Sequence, residues 1–513
     1  HIGFTTVFPD LVLSYGLLFA IAVFLACLLQ APSAILRTGI FSVLIIIVLS
    51  DAIFEFGTTE GGVRLNAVIL TMFATLVLVF FLRQHINKFL IAVFAIMFVS
   101  GVVLGLPFSN TEAGGERAPS ANGGGLPVVV HLILDGHMGV GGMTPRLPNG
   151  ERIRNEVSEF YLGNEFRLFS GAYSEYFDTH FSMARFLNAD ADEVHLEYAV
   201  KNRNKYVLSI NGYFERWARE GYKINVLQSS YFDLCKSTNV KISSCVTYNH
   251  DSFDGEAISS LPLAQRIILI GNMYYSSFTL YKLVQLSELS FKPHLDKYDV
   301  SLRGLGLWHG RIGPLAISSQ LEQLIRKVSR SNGGEFFFAH LLIPHSPYVY
   351  DSSCKVHSPV SSWQLRPERG ASDTPKLRYA RYAAYFEQIR CTMRKLQPLF
   401  DAMRKKGTYE DAVIIIHGDH GARITRIDPE AGNAQQMPRD DYIHSFSTLF
   451  ALKAPGVVPG NDDRMASIPQ LLAYAADRRE ENLNENSKPY VYLSSGDDKF
   501  VRSQIPEFPL SNE

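Results

Sequence analysis

Apolar residues are spread too unevenly along this chain for one ordinary soluble core. Within the first 108 residues, four apolar runs follow one another, at 11–30, 38–54, 65–82 and 89–108. Three carry no charged side chain, and the second is interrupted by Asp51. A helix needs about 20 predominantly apolar residues to cross a bilayer. The runs therefore predict a bundle of about four transmembrane helices over 1–108. Asp51 falls near a helix end, where a carboxylate reaches the interface. The chain opens on His1 rather than Met, so a fifth helix is expected upstream if the sequence continues there.

Loop charges orient the bundle. Arg37 separates the first two runs, and Arg83 and Lys88 separate the last two. The middle loop carries Asp51, Glu55 and Glu60 against Arg64. Basic loops stay cytoplasmic, so everything after residue 108 is expected outside, on the extracytoplasmic face of a bacterial inner membrane. The net charge of −1 offers no bulk basic surface for nucleic acid. One of the five cysteines, Cys27, lies in the first run; Cys235, Cys245, Cys354 and Cys391 lie in the exported part. Cys235 and Cys245 bracket a short polar loop and are expected to bridge it, leaving Cys354 and Cys391 as a second pair, which suits an oxidising compartment.

At 513 residues the chain is long enough for two or more domains. Residues 109–127, SNTEAGGERAPSANGGGLP, read as a linker. Beyond it, apolar runs at 128–135, 335–345 and 411–419 alternate with helical patterns, the longest at 377–407 with basic residues and a glycine at its end. Continuous apolar strands between helices predict an α/β domain over 128–480, a mainly parallel sheet flanked by helices, with a C-terminal tail over 481–513.

The polar residues of these strands collect at one end. Asp135 closes the first, His345 follows the second, and Asp419 and His420 follow the third. Open α/β sheets bind ligands at the carboxyl ends of their strands. Asp and His ligate divalent metals such as zinc or manganese, and Gly418 and Gly421 on either side of Asp419-His420 permit a sharp turn. A helical stretch begins near Thr179, where an N-terminal hydroxyl either caps the helix or meets an anion drawn to it. A bound metal can activate such a hydroxyl as a nucleophile. In the segment 340–348, His345 is placed for a phosphate oxygen or a second metal, whereas His340 lies within the strand and reads as structural. His417 is expected to pack or hydrogen-bond along its strand. His137 reads as structural or as a further ligand. His444 precedes another apolar run.

Taken together these residues resemble the alkaline phosphatase superfamily, in particular its membrane-anchored sulfatase-like branch. That branch includes the phosphoethanolamine transferases that modify lipid A and the lipoteichoic acid synthases. The family's strand-end acid is matched by Asp135, its Thr-x-x-Ser setting by Thr179 and Ser182, its Asp-His-Gly motif by Asp419, His420 and Gly421, its paired histidines by His340 and His345, and its late histidine by His444. The resemblance implies that Asp135, Thr179, Asp419 and His420 hold a catalytic metal, zinc above manganese. It implies that Thr179 is the nucleophile and that His345, His444 and Ser182 meet the substrate phosphate, the histidines alternatively a second metal. The sequence departs from the transferases in having Asp rather than Glu at position 135 and Ser182-Met183-Ala184-Arg185 where they carry Ser-x-Pro-Cys. No Cys-x-Pro-x-Arg motif is present, which argues against sulfate ester hydrolysis.

The implied reaction moves a substituted phosphoryl group, phosphoethanolamine or phosphoglycerol, from a membrane phospholipid to an envelope glycan or lipid through a phospho-threonine. The rival readings are a membrane-anchored phosphodiesterase or phosphatase with water as acceptor, and a non-enzymatic envelope protein that binds glycan.

Overall fold

The three apolar strands expected from the sequence lie side by side at the centre of one sheet. The computed structural model describes residues 125–188, 199–202, 205–229, 231–248, 255–266, 269, 313–360, 363, 374–483, 489–496 and 499–505, with a short strand pair at Thr58–Thr59 and Gly62–Val63. The four apolar runs lie outside the described residues, and that strand pair falls between the second and third. Among the described residues no helix is long and apolar enough to cross a membrane. The chain divides into two compact units, one of residues 1–6, 123–266 and 311–513, the other of residues 7–122 and 267–310. The first unit contains the sheet and the polar strand ends.

Its sheet has eight strands: β1 (Val129–Leu134), β2 (Arg167–Tyr173), β3 (Lys223–Ser229), β4 (Ile242–Tyr248), β5 (Glu335–Leu341), β6 (Val413–Gly418), β7 (Phe450–Lys453) and β8 (Gly460–Ser467), in the order β8-β2-β7-β6-β1-β5-β3-β4. Only β7 runs antiparallel to its neighbours. Strands β1 and β6 are buried at every position, as unbroken apolar sequence with helices on both faces requires. The edge strand β4 alternates between half-buried and exposed residues.

The longer helices of this unit are α1 (Gly150–Gly163), α2 (Thr179–Phe186), α3 (Gly212–Arg219), α4 (Ile317–Arg330), α5 (Pro375–Lys406), α6 (Arg439–Phe446) and α7 (Ile468–Asp477). One sheet face, with Ile133, Phe338 and Ile415, packs against Phe186 of α2, Phe214 and Trp217 of α3 and Leu471 of α7. The other face is covered by α1, α4 and α5, which pack on one another, with Phe400 of α5 5.4 Å from Phe166 and 6.0 Å from Phe160 between ring centres. Helix α5 matches the long helix expected from sequence. Thr374 caps it by accepting from Leu377 N, Pro375 opens it, and Gly407 ends it at φ 79°.

Cys235–Cys245 and Cys354–Cys391 are both disulfide-bonded, the pairs expected from sequence. The stretch read as a C-terminal tail holds a hairpin of β9 (Tyr490–Gly496) and β10 (Lys499–Gln504). Val491, Leu493 and Ile505 are buried there against Tyr173, Ile443 and Phe446. Alternation over a few residues is a weak local signal, and a partner more than 40 positions away in sequence supplies its buried side.

Candidate metal centre and cleft

Register brings the acids together. Leu134 at the end of β1 pairs with Gly418 at the end of β6, and with Leu341 at the end of β5. Asp135 and Asp419 therefore emerge side by side. Gly136 turns the chain at φ 70°, and its amide donates to Asp419 Oδ1 at 2.9 Å. Gly418 and Gly421 have a different role from the turn expected of them: neither adopts positive φ among the described glycines. They are small because backbone passes close by. A Cβ on Gly421 would lie 2.0 Å from the His444 carbonyl oxygen, and one on Gly418 2.4 Å from that of His137.

Thr179 is the first residue of α2, with Asp178 at the N-cap, and no side-chain cap bond forms. The Thr179 hydroxyl instead turns toward His420. It lies 3.2 Å from His420 Nε2, and the residue is buried at 4% exposure. His420 Nδ1 bonds the Gly421 carbonyl at 2.7 Å. A carbonyl only accepts, so Nδ1 carries the proton and Nε2 the lone pair. That lone pair faces Asp135 Oδ1 and Asp419 Oδ2, each at 3.4 Å. Both oxygens are buried and make no hydrogen bond.

Two unpartnered carboxylate oxygens in the interior carry a large desolvation cost. A cation between them removes it, and one ligand atom from each of Asp135, Asp419 and His420 lies within 4.8 Å of the others. The donor set of two carboxylates and a neutral imidazole, with a hydroxyl at hand, fits a divalent metal. His340 Nε2 lies 3.3 Å from Asp135 Oδ2, the oxygen turned away from His420, without a hydrogen bond to it.

The remaining site residues divide. His345 lines the cleft and gives its Nδ1 proton to the Ser346 carbonyl; burial, foremost, keeps the ring neutral. His444 bonds the Tyr382 hydroxyl through Nδ1 at 2.8 Å, while that hydroxyl donates to the Ile424 carbonyl at 2.8 Å. The shared hydrogen therefore sits on Nδ1, and His444 Nε2 is a buried lone pair without a partner. Burial lowers the His444 ring to about 4. A neutral nitrogen with a lone pair suits a cation or a proton donor, not a phosphate oxygen. Ser182, expected at the substrate, is turned elsewhere. Its hydroxyl donates to the Asp419 carbonyl at 2.6 Å and meets Ser174 Oγ at 2.9 Å, so it fastens α2 to the loop that carries Asp419 and His420. His417 bonds His131 inside the core, and His137 gives Nδ1 to the Met138 carbonyl; neither belongs to the Asp135–Asp419–His420 group.

Helix α5 supplies residues that the motifs did not reveal. Tyr385 accepts from Met138 N at 2.7 Å and donates to Gly136 O at 2.8 Å. Gln388 donates to the Pro344 and His345 carbonyls at 3.1 and 2.9 Å and accepts from Val349 N at 2.8 Å. With Tyr382, these residues at i, i+3 and i+6 share one buried helix face and hold three loops at fixed positions. The three-residue spacing is visible in sequence, but nothing local marks it as facing a site. Arg423 also enters the cleft wall, beside Gly136, His345, Ser346, Tyr348 and His420.

No family model matches the sequence, and no curated protein matches it. Structural neighbours of the chain are alkaline phosphatase and sulfatase superfamily members. They include the C-terminal periplasmic domain of EcEptC from Escherichia coli in complex with Zn, at 10% identity over 76% of this chain and 96% of that one, with a TM-score of 0.45. The phosphonate monoester hydrolase of Agrobacterium radiobacter is 13% identical over 72% of this chain and 80% of its own, with a TM-score of 0.41. A protein in the alkaline phosphatase superfamily from Vibrio parahaemolyticus is 12% identical over 74% and 76%, with a TM-score of 0.37. At these values the likeness is one of outline, and the chemistry rests on the geometry of the site.

Proposed function

We propose that this chain is a metal-dependent enzyme of phosphate esters. It transfers a substituted phosphoryl group, phosphoethanolamine or phosphoglycerol, from a membrane phospholipid to an envelope glycan or lipid. The observation that carries this reading is the buried Thr179 hydroxyl at a helix start, 3.2 Å from His420 Nε2 and beside a buried Asp–Asp–His group. The apolar runs of the first 108 residues support a lipid donor, because they would keep the extracytoplasmic domain at the bilayer.

Asp135, Asp419 and His420, with the Thr179 oxygen, would hold a divalent ion, zinc in preference to manganese. When bound, that ion lowers the pKa of the hydroxyl and offsets charge on the phosphoryl oxygens. Thr179 Oγ1 attacks phosphorus; the bond from phosphorus to the diacylglycerol oxygen breaks, and that oxygen leaves with a proton. In the second step an acceptor hydroxyl attacks, the phosphorus–Thr179 oxygen bond breaks, and Thr179 regains its proton. His345, neutral with its Nε2 lone pair in the cleft, fits the task of taking the acceptor's proton. The first amides of α2 lie at the attacked group, where a helix N-terminus favours negative charge.

The test is peptide mass spectrometry of the segment containing Thr179, on metal-loaded full-length protein incubated with phospholipid. A mass added at Thr179 is expected, and its size names the transferred group. Thr179 unmodified while lipid is consumed would overturn the covalent route and leave direct attack by water.

A further inference from the structure

The histidines leave a gap in the proposed reaction, for their cleft-side nitrogens carry lone pairs and a phosphate needs donors. We infer that Arg423 fills it, and that its guanidinium binds a non-bridging oxygen of the tetrahedral oxyanion opposite the Asp135–Asp419–His420 group. This inference rests on the phosphoryl-transfer reading and adds the residue that recognises the anion.

Four observations converge on Arg423. Its backbone adopts φ 53°, a left-handed conformation that costs an ordinary side chain about 1 kcal/mol or more and persists where the surroundings enforce it. Its Nε donates to the Phe177 carbonyl at 2.8 Å, and the guanidinium lies 5.0 Å from the centre of the Phe177 ring. Its Nη2 lies 3.3 Å from Asp178 Oδ1 yet makes no hydrogen bond. The side chain is only 12% exposed and faces the cleft that His345 and His420 also line.

One edge of the guanidinium is thus bolted to the two residues before Thr179. No hydrogen bond from Nη1 is found among the described residues, so that donor group is open to a ligand. A guanidinium held flat and largely out of water is the side chain best suited to oxyanions, because its fork of donors matches their oxygens. The anchor also fixes distance: Arg423 belongs to the loop that carries Asp419 and His420, and it grips the start of the helix that carries Thr179. The oxyanion is thereby held between nucleophile, metal ligands and cation.

The test uses metal-loaded full-length protein and inorganic phosphate as probe, followed by titration calorimetry. Arg423→Ala should weaken phosphate binding by about 10- to 100-fold, the range for a hydrogen bond to a charged group, with metal content unchanged. Millimolar guanidinium should restore phosphate binding to that variant, while equal sodium chloride should not. Arg423→Lys should recover part of the affinity through charge alone. Unchanged affinity in Arg423→Ala overturns the inference. So does a loss that neither guanidinium nor lysine repairs, because Arg423 would then be a strap between two loops and no more. Wild-type protein that fails to bind phosphate overturns it as well. Phosphate binding that depends on Arg423 alongside an unmodified Thr179 would refute only the covalent route.

Discussion

Strand β6 and the turn just past it carry two histidines three residues apart, His417 and His420, in opposite surroundings. His417 sits inside the sheet. Its Nε2 lies 2.7 Å from His131 Nε2, Phe450 stacks at 5.6 Å and Phe186 meets its edge at 5.1 Å. His420 sits just beyond the strand end, where its Nε2 faces two carboxylates and a hydroxyl. Both rings give Nδ1 to a neighbouring carbonyl, that of the next residue in each case, and so present the same nitrogen. The difference lies in what that nitrogen meets. Within the strand it meets another ring in the core; past the end it meets the acids that the register of β1 and β6 delivers. Position relative to the strand end, rather than residue type, separates an imidazole packed in the core from one that faces the two acids.

The contrast is most open to attack at the tip. Thr179→Ala should lower turnover by about 10⁴-fold or more, as removal of a nucleophile does, with metal content and melting temperature retained; an active variant would remove Thr179 from the chemistry. Asp419→Asn keeps an oxygen for the Gly136 amide but loses the charge. Its metal affinity should fall by more than about 100-fold, beyond what outer-shell changes cost, and unchanged stoichiometry by elemental analysis would show that the tip is not a metal site.

Acid tests the interior. Burial, before any other influence, lowers His137, His417 and His444 to about 4. An unfolded chain takes up those protons near pH 6.5. Between about 6.5 and 4 the unfolded state therefore binds more protons than the folded one, and stability must drop as pH falls through that window. Each ring contributes up to about 3 kcal/mol of the drop. Denaturant midpoints measured from pH 7 to 4 should show it, and a flat profile would mean that these rings are already charged or wet.

Smaller effects sharpen the contrast. His417→Leu leaves both nitrogens of His131 without a partner and should cost about 2 kcal/mol, while metal binding stays intact. The double variant with His131→Leu should recover much of that loss, and a simple sum of the single effects would deny the pair its coupling. Tyr382→Phe removes the hydroxyl that joins His444 to the Ile424 carbonyl. It should cost about 1 kcal/mol and slow turnover only slightly; full loss of activity would assign Tyr382 a direct part in the chemistry.

Much of the architecture was legible because it is written locally. Branched apolar runs ending in Asp135 and Asp419 announced parallel strands with working tips, and the basic, glycine-terminated pattern announced α5. The cysteine spacing also pointed to the observed disulfide pairs. The reversed strand β7 and the β9–β10 hairpin were not legible. Strand β7 has only four residues, and the buried faces of both are completed by residues distant in the chain.

The site shows the same division at finer grain. Sequence alone determined that two acids and an imidazole stand at the ends of buried strands, because the side-chain types and the apolar runs before them are local facts. Only the tertiary structure decided that Ser182 faces the Asp419 carbonyl, that His340 lies beside Asp135, that Arg423 and Tyr385 line the cleft, and that Tyr382 and Gln388 hold the segments around it. Those roles depend on register between strands and on which face a long helix turns inward. Both are set by packing across hundreds of residues, and no short stretch of sequence carries them.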